Sequence, residues 1–313
     1  KRDFITDSDV LTMEPDGKMM GITGVGGFGL TDHARGQLAT KLNIPLTYFK
    51  RLADKHPDLL AENVNTLLHR EPSRNMVRIL DDNIRGFMSD RYRSLDNYDL
   101  ADAVLPELRA AGAEITSCNI TDTKMYIKAL CPWLTRELPV PEGLKMGVGH
   151  NFFLRKITGA ISIANSEVGA ARLAIDPGVF EKQCTNLAVF RDDGYGRMHI
   201  GKKIEGEESV NAYLSDDTRR LEDAAIWSKV RDIVKATMEG KVMESIVQKL
   251  TAARGDAITG SPEKVVELFA KRYQFTEGEK GGLLRHLVGS GEMTRYGLQW
   301  AVTRLAQDVT NYD

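Results

Sequence analysis

The chain has few of the features that identify a secreted or membrane protein. Its 313 residues include three cysteines, Cys118, Cys131 and Cys184, and this odd number at wide spacing does not fit a disulfide framework. No apolar run approaches the roughly 18 residues that span a bilayer, and the first residues have no apolar signal-peptide core. We therefore expect a cytoplasmic protein without membrane contact.

The motifs of common enzyme classes are also missing. The six histidines form no H-E-x-x-H pair and no Cys/His spacing typical of a zinc site. No G-x-S-x-G elbow is present for a serine nucleophile, and the carboxylates show no spacing that marks an acid/base pair. We expect no metal and no cofactor, and nothing in the sequence argues for an enzyme.

One glycine motif resembles the phosphate-binding loop of a dinucleotide-binding fold, but the surrounding sequence lacks the other elements of that fold. Gly24, Gly26 and Gly29 spell G-x-G-x-x-G before a helical stretch. A dinucleotide fold also needs a second parallel strand and an acid about 20 residues further on, where this chain has Phe49 and Lys50. We interpret the stretch as a glycine-rich strand end that enters a helix, whose N-terminus could meet a phosphate.

Bulk composition is that of an ordinary globular protein. Hydrophobic residues make up 42% of the chain and charged residues 27%, so a sizeable core can be buried. The formal net charge of −2 means that any surface for nucleic acid must be local.

Hydrophobic periodicity divides the chain into three regions. Residues 1–72 read as an arm and a helical cap, residues 73–205 as an α+β core, and residues 206–313 as a helical C-terminal region. The predicted fold class is α+β, with a hairpin-rich mixed β-sheet core, an N-terminal helical cap and a C-terminal all-helical region.

Specific elements follow from turn and helix signals. Alternating residues on both sides of Asp81-Asp82-Asn83 and of Thr121-Asp122-Thr123 predict two β-hairpins. The proline-rich residues 131–143 predict a long surface loop. The helical stretch from about residue 216 has its weak point at Gly240.

Basic residues recur on the strand-like segments of the core, with aromatic residues between them. Arginine binds phosphates bidentately and aromatic rings stack bases, so this mixture suits a platform for single strands. The alternative is that neighbouring carboxylates, such as Asp90 and Asp96, pair with these arginines at the surface. The candidate nucleic-acid-binding residues are Arg85, Arg91, Arg93, Lys124, Lys128, Arg155, Lys156 and Arg172.

A second segment has the spacing of a helix-turn-helix. Ala39, which is small, and Leu52 occupy positions that such a motif buries. The second helix would present Thr47, Lys50 and Arg51 outward. The alternative is an ordinary pair of short helices joined at a proline.

Three stretches together resemble the DUF932 family of phage- and plasmid-borne proteins. They read NIRGFMSDRYRSLDNYDL, ISIANSEVGAARLAIDPGVFEKQCTN and TRYGLQWAVTRLAQDVTNYD. The resemblance covers the chain from about residue 28 onward, and it implies a mobile-element setting without an assigned reaction.

The resemblance also marks a set of polar positions. Their side chains could be presented by turns at the ends of strands, or they could be internal hydrogen-bond partners that join strands. These family-motif positions are Ser89, Asp90, Tyr92, Asn165, Ser166, Glu167, Cys184 and Asn186.

The function hypothesis combines the basic residues with the mobile-element setting. It is a nucleic-acid-binding protein that binds or anneals single-stranded DNA during recombination or replication, and that forms a homo-oligomer. The alternative is a non-enzymatic interaction protein that inhibits or redirects a host factor through the helical tail around Trp227 or Trp300.

Overall fold

A computed structural model describes residues 2–70, 72–139, 155–181, 186–197, 199 and 215–308. Within these residues the chain forms twelve strands and nine α-helices. The strands are β1 (Arg2–Asp7), β2 (Leu11–Met13), β3 (Met19–Ile22), β4 (Gly26–Leu30), β5 (Arg74–Leu80), β6 (Asn83–Ser89), β7 (Glu114–Ile120), β8 (Met125–Leu138), β9 (Arg155–Asn165), β10 (Leu173–Glu181), β11 (Asn186–Val189) and β12 (Tyr195–Arg197). The helices are α1 (Asp32–Lys41), α2 (Leu46–Lys55), α3 (Pro57–Arg70), α4 (Asn97–Ala110), α5 (Asp216–Met238), α6 (Met243–Gly255), α7 (Pro262–Tyr273), α8 (Glu277–Ser290) and α9 (Arg295–Asp308).

The first sheet has the strand order β1-β5-β6-β4-β3-β2 and is mixed, because β4 pairs with β6 in parallel. Helices α1, α2 and α3 pack on it around buried residues such as Leu38, Phe49 and Leu60. The side chain of Thr31 caps α1 by accepting a hydrogen bond from the backbone N–H of Ala34 at 3.2 Å, as the N-cap preference predicts.

The glycine motif forms a β-hairpin in this sheet. Strand β3 turns back into β4 through residues 23–25, where Gly24 has a φ of +77° that favours glycine. A Cβ at Gly29 would overlap the side chain of Asn83, so this glycine allows β4 to approach β6 closely. The motif therefore serves the strand pairing of the first sheet.

The second sheet has the strand order β11-β10-β9-β8-β7, and β12 pairs with β10 beside β11. Helices α4 and α5 pack on one face of it, against buried residues such as Ile127, Ile161 and Ile175. Helices α6 and α9 cover the same face near Ile157 and Val179. We call this helix-covered side the inner face.

Both hairpin predictions are confirmed, and one loop prediction is wrong. Strands β5 and β6 form one antiparallel pair and β7 and β8 form the other. The predicted proline-rich loop begins inside β8, which continues to Leu138 through a register shift between Cys131 and Thr135. The shift leaves Pro132 outside the regular ladder, which is how a strand accommodates a residue without an N–H.

The helical stretch that begins at residue 216 is interrupted at its predicted weak point. Gly240 separates α5 from α6 with a φ of +76°. Helices α7, α8 and α9 then pack around Leu283, Leu287 and Leu305.

The α+β class and the helical C-terminal region are thus confirmed in the described part of the chain. The N-terminal region is not simply a helical cap, since its first 30 residues supply four strands. Strands β5 and β6, which lie beyond residue 72, also belong to the first sheet. The division into three domains stays a prediction.

Candidate nucleic-acid interface

The outer face of the second sheet lies opposite the helices and carries three of the eight candidate basic residues. Lys128 is on β8, Lys156 on β9, and both are exposed. Because Lys128 pairs with Ser162, six residues from Lys156 along β9, alternation places both side chains on this face. Arg172 precedes β10, and its guanidinium lies over Gly196 of β12, where a Cβ would overlap it.

Two aromatic rings lie between these cations along the strand direction. Tyr126 pairs with Ala164 and is half-buried, in the row next to Lys128. Phe180 pairs with Thr158 and is also half-buried, towards Lys156. The order along the strands is Arg172, Tyr126, Lys128, Phe180, Lys156. We call these five residues the basic track.

The track extends across most of the sheet. Because Ala174 pairs with Ala164, Arg172 lies about two residues beyond that row, and its distance along the strands to Lys156 corresponds to about ten residues, or roughly 33 Å. Its width is that of the three strands β8, β9 and β10, about 10 Å. The described outer-face side chains between the five residues are the small Thr158, Ala160, Ser162, Ala164, Ala174 and Gly178, together with Leu130 opposite Ala160 and Asp176 opposite Ser162.

Two carboxylates lie near the track. Glu137 is 3.6 Å from the Lys156 ammonium, but both side chains are more than half exposed, so this pair is weak. Asp176 lies on the outer face beneath Gly194, and it is buried. Burial raises the pKa of its carboxyl, against the opposing effect of Arg172 and Arg191. Among the described residues, Glu137 is therefore only weakly paired with Lys156, and Asp176 is not presented at the surface.

Three of the other candidate arginines are paired with carboxylates. Arg85 lies 3.1 Å from Glu167, and Arg93 donates two hydrogen bonds, at 2.7 and 3.0 Å, to one carboxylate oxygen of Asp223. The Arg155 guanidinium is 2.5 Å from the carboxylate of Glu181. These arginines join elements that are distant in sequence, and their partners are not the neighbouring carboxylates Asp90 and Asp96 that the alternative named.

The last two candidates are half-buried and lie outside the track. Arg91 follows β6, and it forms no ion pair with the residues that the structure describes. Lys124 precedes β8 at the end of the sheet where Arg172 lies, and its backbone closes the turn with Thr121. The structure therefore does not bring all eight basic residues to one surface.

The motif residues Asn165, Ser166 and Glu167 form a buried junction between the two sheets. Asn165 donates to the backbone oxygen of Leu95 at 2.8 Å. The Ser166 hydroxyl donates to the backbone oxygen of Thr123 at 2.7 Å. Glu167 accepts from the backbone N–H of Asn97 at 2.8 Å as well as from Arg85. These three side chains join the surrounding segments by hydrogen bonds, and all three are buried.

Tyr92 extends this junction. Its hydroxyl donates to the backbone oxygen of Ser166 at 3.0 Å and accepts from the N–H of Gly169 at 3.2 Å. Its ring stacks on His199 at 5.3 Å between ring centroids. Burial lowers the pKa of His199 below its usual range.

Ser89 and Asp90 lie apart from the junction, at an open groove between α1 and β6. Ser89 lines this groove of about 600 Å³ together with His33, Lys41 and Phe87. Burial lowers the pKa of the Lys41 ammonium, although Asp90 acts in the opposite direction.

The remaining motif positions are described only in part. Cys184 lies outside the described residues, and Asn186 contributes its backbone to β11, paired with Glu181.

Sequence reasoning missed several important residues. Tyr126 and Phe180 could have been found from alternation, because each shares a strand face with a basic or small residue. Arg78 and Arg254, which are fully buried among carboxylates, gave no such signal. Their burial depends on elements that are distant in sequence.

The helix-turn-helix segment also has exposed basic residues. Helices α1 and α2 bury Ala39 and Leu52, whereas Thr47, Lys50 and Arg51 are exposed, as the motif requires. This surface is a second place where nucleic acid could be contacted.

The described residues contain no cluster of three or more His, Cys, Asp or Glu side chains that could hold a metal ion. Among the described helices, none combines the length and the apolarity needed to cross a bilayer. Comparison of the chain with protein-family models, curated proteins and solved structures finds no match in any of the three.

Proposed function

We propose that the chain binds single-stranded DNA along the basic track, and that it acts as a binding or annealing protein in the recombination or replication of a mobile element. The observation that supports this is the alternation of three cations with two aromatic rings on the outer face of the second sheet. The mobile-element setting comes from the sequence resemblance alone.

The chemistry of the track favours a single strand over a duplex. Cations along a strand can follow a phosphate backbone, and Tyr126 and Phe180 offer ring faces on which unpaired bases can stack. Bases in a duplex are already stacked on each other, and a wide sheet face does not enter the grooves of B-DNA.

The decisive experiment is a titration of a fluorescently labelled oligodeoxythymidine with the protein at several salt concentrations. Each phosphate contact on single-stranded DNA contributes about 0.7 to the slope of log affinity against log salt. Reversing the three charges in the variant Lys128→Glu/Lys156→Glu/Arg172→Glu should therefore reduce the slope by about 2.

A matched control reverses three charges on α7. The residues Lys264, Lys271 and Arg272 are exposed there, far along the chain from the track. Their triple change to glutamate alters net charge equally and should leave most of the affinity intact. Equal losses in the two variants would refute the track as the binding surface.

Two further variants separate the competing surfaces. Tyr126→Ala should weaken binding about tenfold, because base stacking on an aromatic ring contributes roughly 1–3 kcal/mol. Lys50→Ala/Arg51→Ala removes the exposed cations of α2 and should have little effect. Loss of binding in the second variant with none in the first would favour the helix-turn-helix interpretation.

The alternative of a host-factor inhibitor has no specific support in the described residues. Trp300 is buried in the contact between α6, α9 and the second sheet. Trp227 packs against the core beneath α5. Neither ring is the exposed anchor that this hypothesis used.

A further inference from the structure

The open groove between α1 and β6 has the size of a small-molecule site. Its volume is about 600 Å³, and clefts that bind small molecules commonly enclose about 300–1,000 Å³. Leu46, Phe87 and Met88 form its apolar wall, and Leu46 is 44% exposed. The polar groups that line it come from one side of α1 and from the end of β6. The groove therefore combines an apolar wall with a few polar groups, as ligand sites do.

Two contacts show that α1 and β6 run side by side in the same direction. Near the beginning of both elements, the Thr31 hydroxyl donates to the backbone oxygen of Arg85 at 3.5 Å. Further along, the Gln37 side chain accepts from the backbone N–H of Phe87 at 2.8 Å. Between the two contacts, six residues of helix span about 9 Å and two residues of strand span about 7 Å. The helix and the strand thus advance along the groove together.

Lys41 and Ser89 consequently lie at the same end of the groove. Lys41 is four residues beyond Gln37, on the same side of α1 and about 6 Å further along its axis. Ser89 is two residues beyond Phe87, on the same face of β6 and about 7 Å further along the strand. Both side chains line the groove, and both are half-buried.

The polar groups of these two side chains are not used by the fold. Among the described residues, neither the Lys41 ammonium nor the Ser89 hydroxyl has a hydrogen-bond partner, and Lys41 forms no ion pair. Asp90 acts on Lys41 electrostatically, but from beyond the distance of an ion pair, and burial still lowers the pKa of the ammonium. A bound anion would give this half-buried charge a partner.

Gly36, in the middle of α1, leaves space along the groove. A Cβ at this position would meet no atom within 4 Å, so close packing does not require a glycine here. Its φ is not in the left-handed region either. Glycine destabilises the interior of a helix relative to alanine, so this residue weakens α1 without a structural need. The space beside it allows a ligand to lie against the helix backbone.

We propose that this groove binds a small organic monoanion, a carboxylate or sulfonate with an apolar body, whose charged group pairs with Lys41 and accepts a hydrogen bond from Ser89. The apolar body would lie on Leu46 and beside Gly36. One ammonium and one hydroxyl match a single negative charge, whereas phosphate sites commonly add arginine forks. The groove lies on the first sheet and the basic track on the second, so this proposal does not depend on DNA binding.

The probe for the test is anilinonaphthalene sulfonate, an aromatic monoanion whose fluorescence increases in an apolar site. The wild type should bind it saturably with a dissociation constant on the order of 10–100 µM, as expected for a ligand of this size. Lys41→Met keeps the apolar stem and removes the charge, so it should weaken binding by at least about tenfold. Ser89→Ala removes one neutral donor and should weaken binding by roughly threefold.

A neutral analogue separates recognition of charge from general apolar affinity. Phenylnaphthylamine has the same aromatic body without the sulfonate, and Lys41→Met should bind it as the wild type does. The matched control is Lys55→Met, which removes an exposed lysine from the last turn of α2, as Lys41 is in the last turn of α1. This control should bind the sulfonate with wild-type affinity.

A second variant fills the groove. Gly36→Leu places a side chain in the space beside α1, and leucine is a better helix former than glycine, so urea unfolding should show no loss of stability. Binding of both probes should nevertheless be lost. The matched control is Gly281→Leu on α8, where the glycine is also inside a helix and a Cβ would also meet no atom within 4 Å. It should bind both probes as the wild type does.

Four results would overturn the proposal. The first is a wild type without saturable binding of the sulfonate, and the second is equal sulfonate affinity in Lys41→Met and the wild type. The third is a stably folded Gly36→Leu that still binds both probes. The fourth is binding that is lost in the triple track variant and kept in Lys41→Met, which would place the sulfonate on the second sheet.

Discussion

A buried network of charges joins the second sheet to the C-terminal helices, and Glu292 is its centre. The Glu292 carboxylate lies 2.8 Å from Arg254 and 3.1 Å from Arg155. Arg155 also pairs with Glu181, which accepts a hydrogen bond from the Tyr296 hydroxyl at 3.0 Å. Glu292 and Arg254 are 2% and 0% exposed, so water does not screen their interaction.

The variant Glu292→Gln should therefore be strongly destabilising. It preserves the shape of the side chain but removes one negative charge, and it turns an amide donor towards an arginine. Removing one partner from a buried pair decreases the free energy of unfolding by about 3–5 kcal/mol. With an m-value of roughly 3 kcal/mol/M for a chain of this size, the urea midpoint should fall by about 1–2 M.

The assay is urea unfolding followed by tryptophan fluorescence, since buried Trp300 lies against Tyr296 with ring centroids 5.9 Å apart. The matched control is Glu244→Gln, whose 3.2 Å pair with Arg136 is exposed. We expect it to lose less than about 0.5 kcal/mol. A loss for Glu292→Gln as small as that of the control would refute the conclusion that the network is buried and coupled.

Three further predictions concern other parts of the fold. Gly240→Ala should decrease the free energy of unfolding by about 1–3 kcal/mol, because its φ is +76° and a Cβ would lie 2.7 Å from Leu134. Arg78→Met should decrease it by about 2–4 kcal/mol, in the lower part of the range for buried pairs, because its carboxylate partners are each about a third exposed. Since burial lowers the folded-state pKa of His199, its contribution is present above the unfolded value of about 6.5 and is lost as pH falls through the folded value. His199→Gln should therefore lose stability less steeply than the wild type between about pH 7 and pH 5.

Each of these has a result that would contradict it. Gly240→Ala with a wild-type urea midpoint would mean that α5 and α6 do not require the left-handed turn. Arg78→Met without a loss would mean that the buried Arg78, which also donates to the backbone oxygen of Glu167 at 2.8 Å, is not needed for stability. Identical pH profiles for His199→Gln and the wild type would show that His199 is accessible to solvent.

Local patterns predicted most of the secondary structure. The hairpin turns at residues 81–83 and 121–123 and the weak point at Gly240 each depend on a few neighbouring residues, and each is found. The continuation of β8 through Pro132 could not be predicted, because β9 supplies the pairing that accommodates the register shift.

The candidate site could be predicted only in part. Lys128, Lys156 and Arg172 were identified by charge, but charge alone also selected Arg85, Arg93 and Arg155. The latter three meet Glu167, Asp223 and Glu181, at sequence separations of 82, 130 and 26 residues. Which cations remain on the surface is thus a property of the tertiary contacts.

The sequence by itself determined the class of the protein: an α+β chain of ordinary composition, with paired strands and a helical C-terminal region. These follow from periodicity and turn chemistry, which act over a few residues. Only the tertiary structure decided that Asn165, Ser166 and Glu167 are buried between two sheets, and that an alternating row of cations and rings lies on the outer face of the second sheet. Both depend on strand order and on which helices cover which face, and non-local packing sets these.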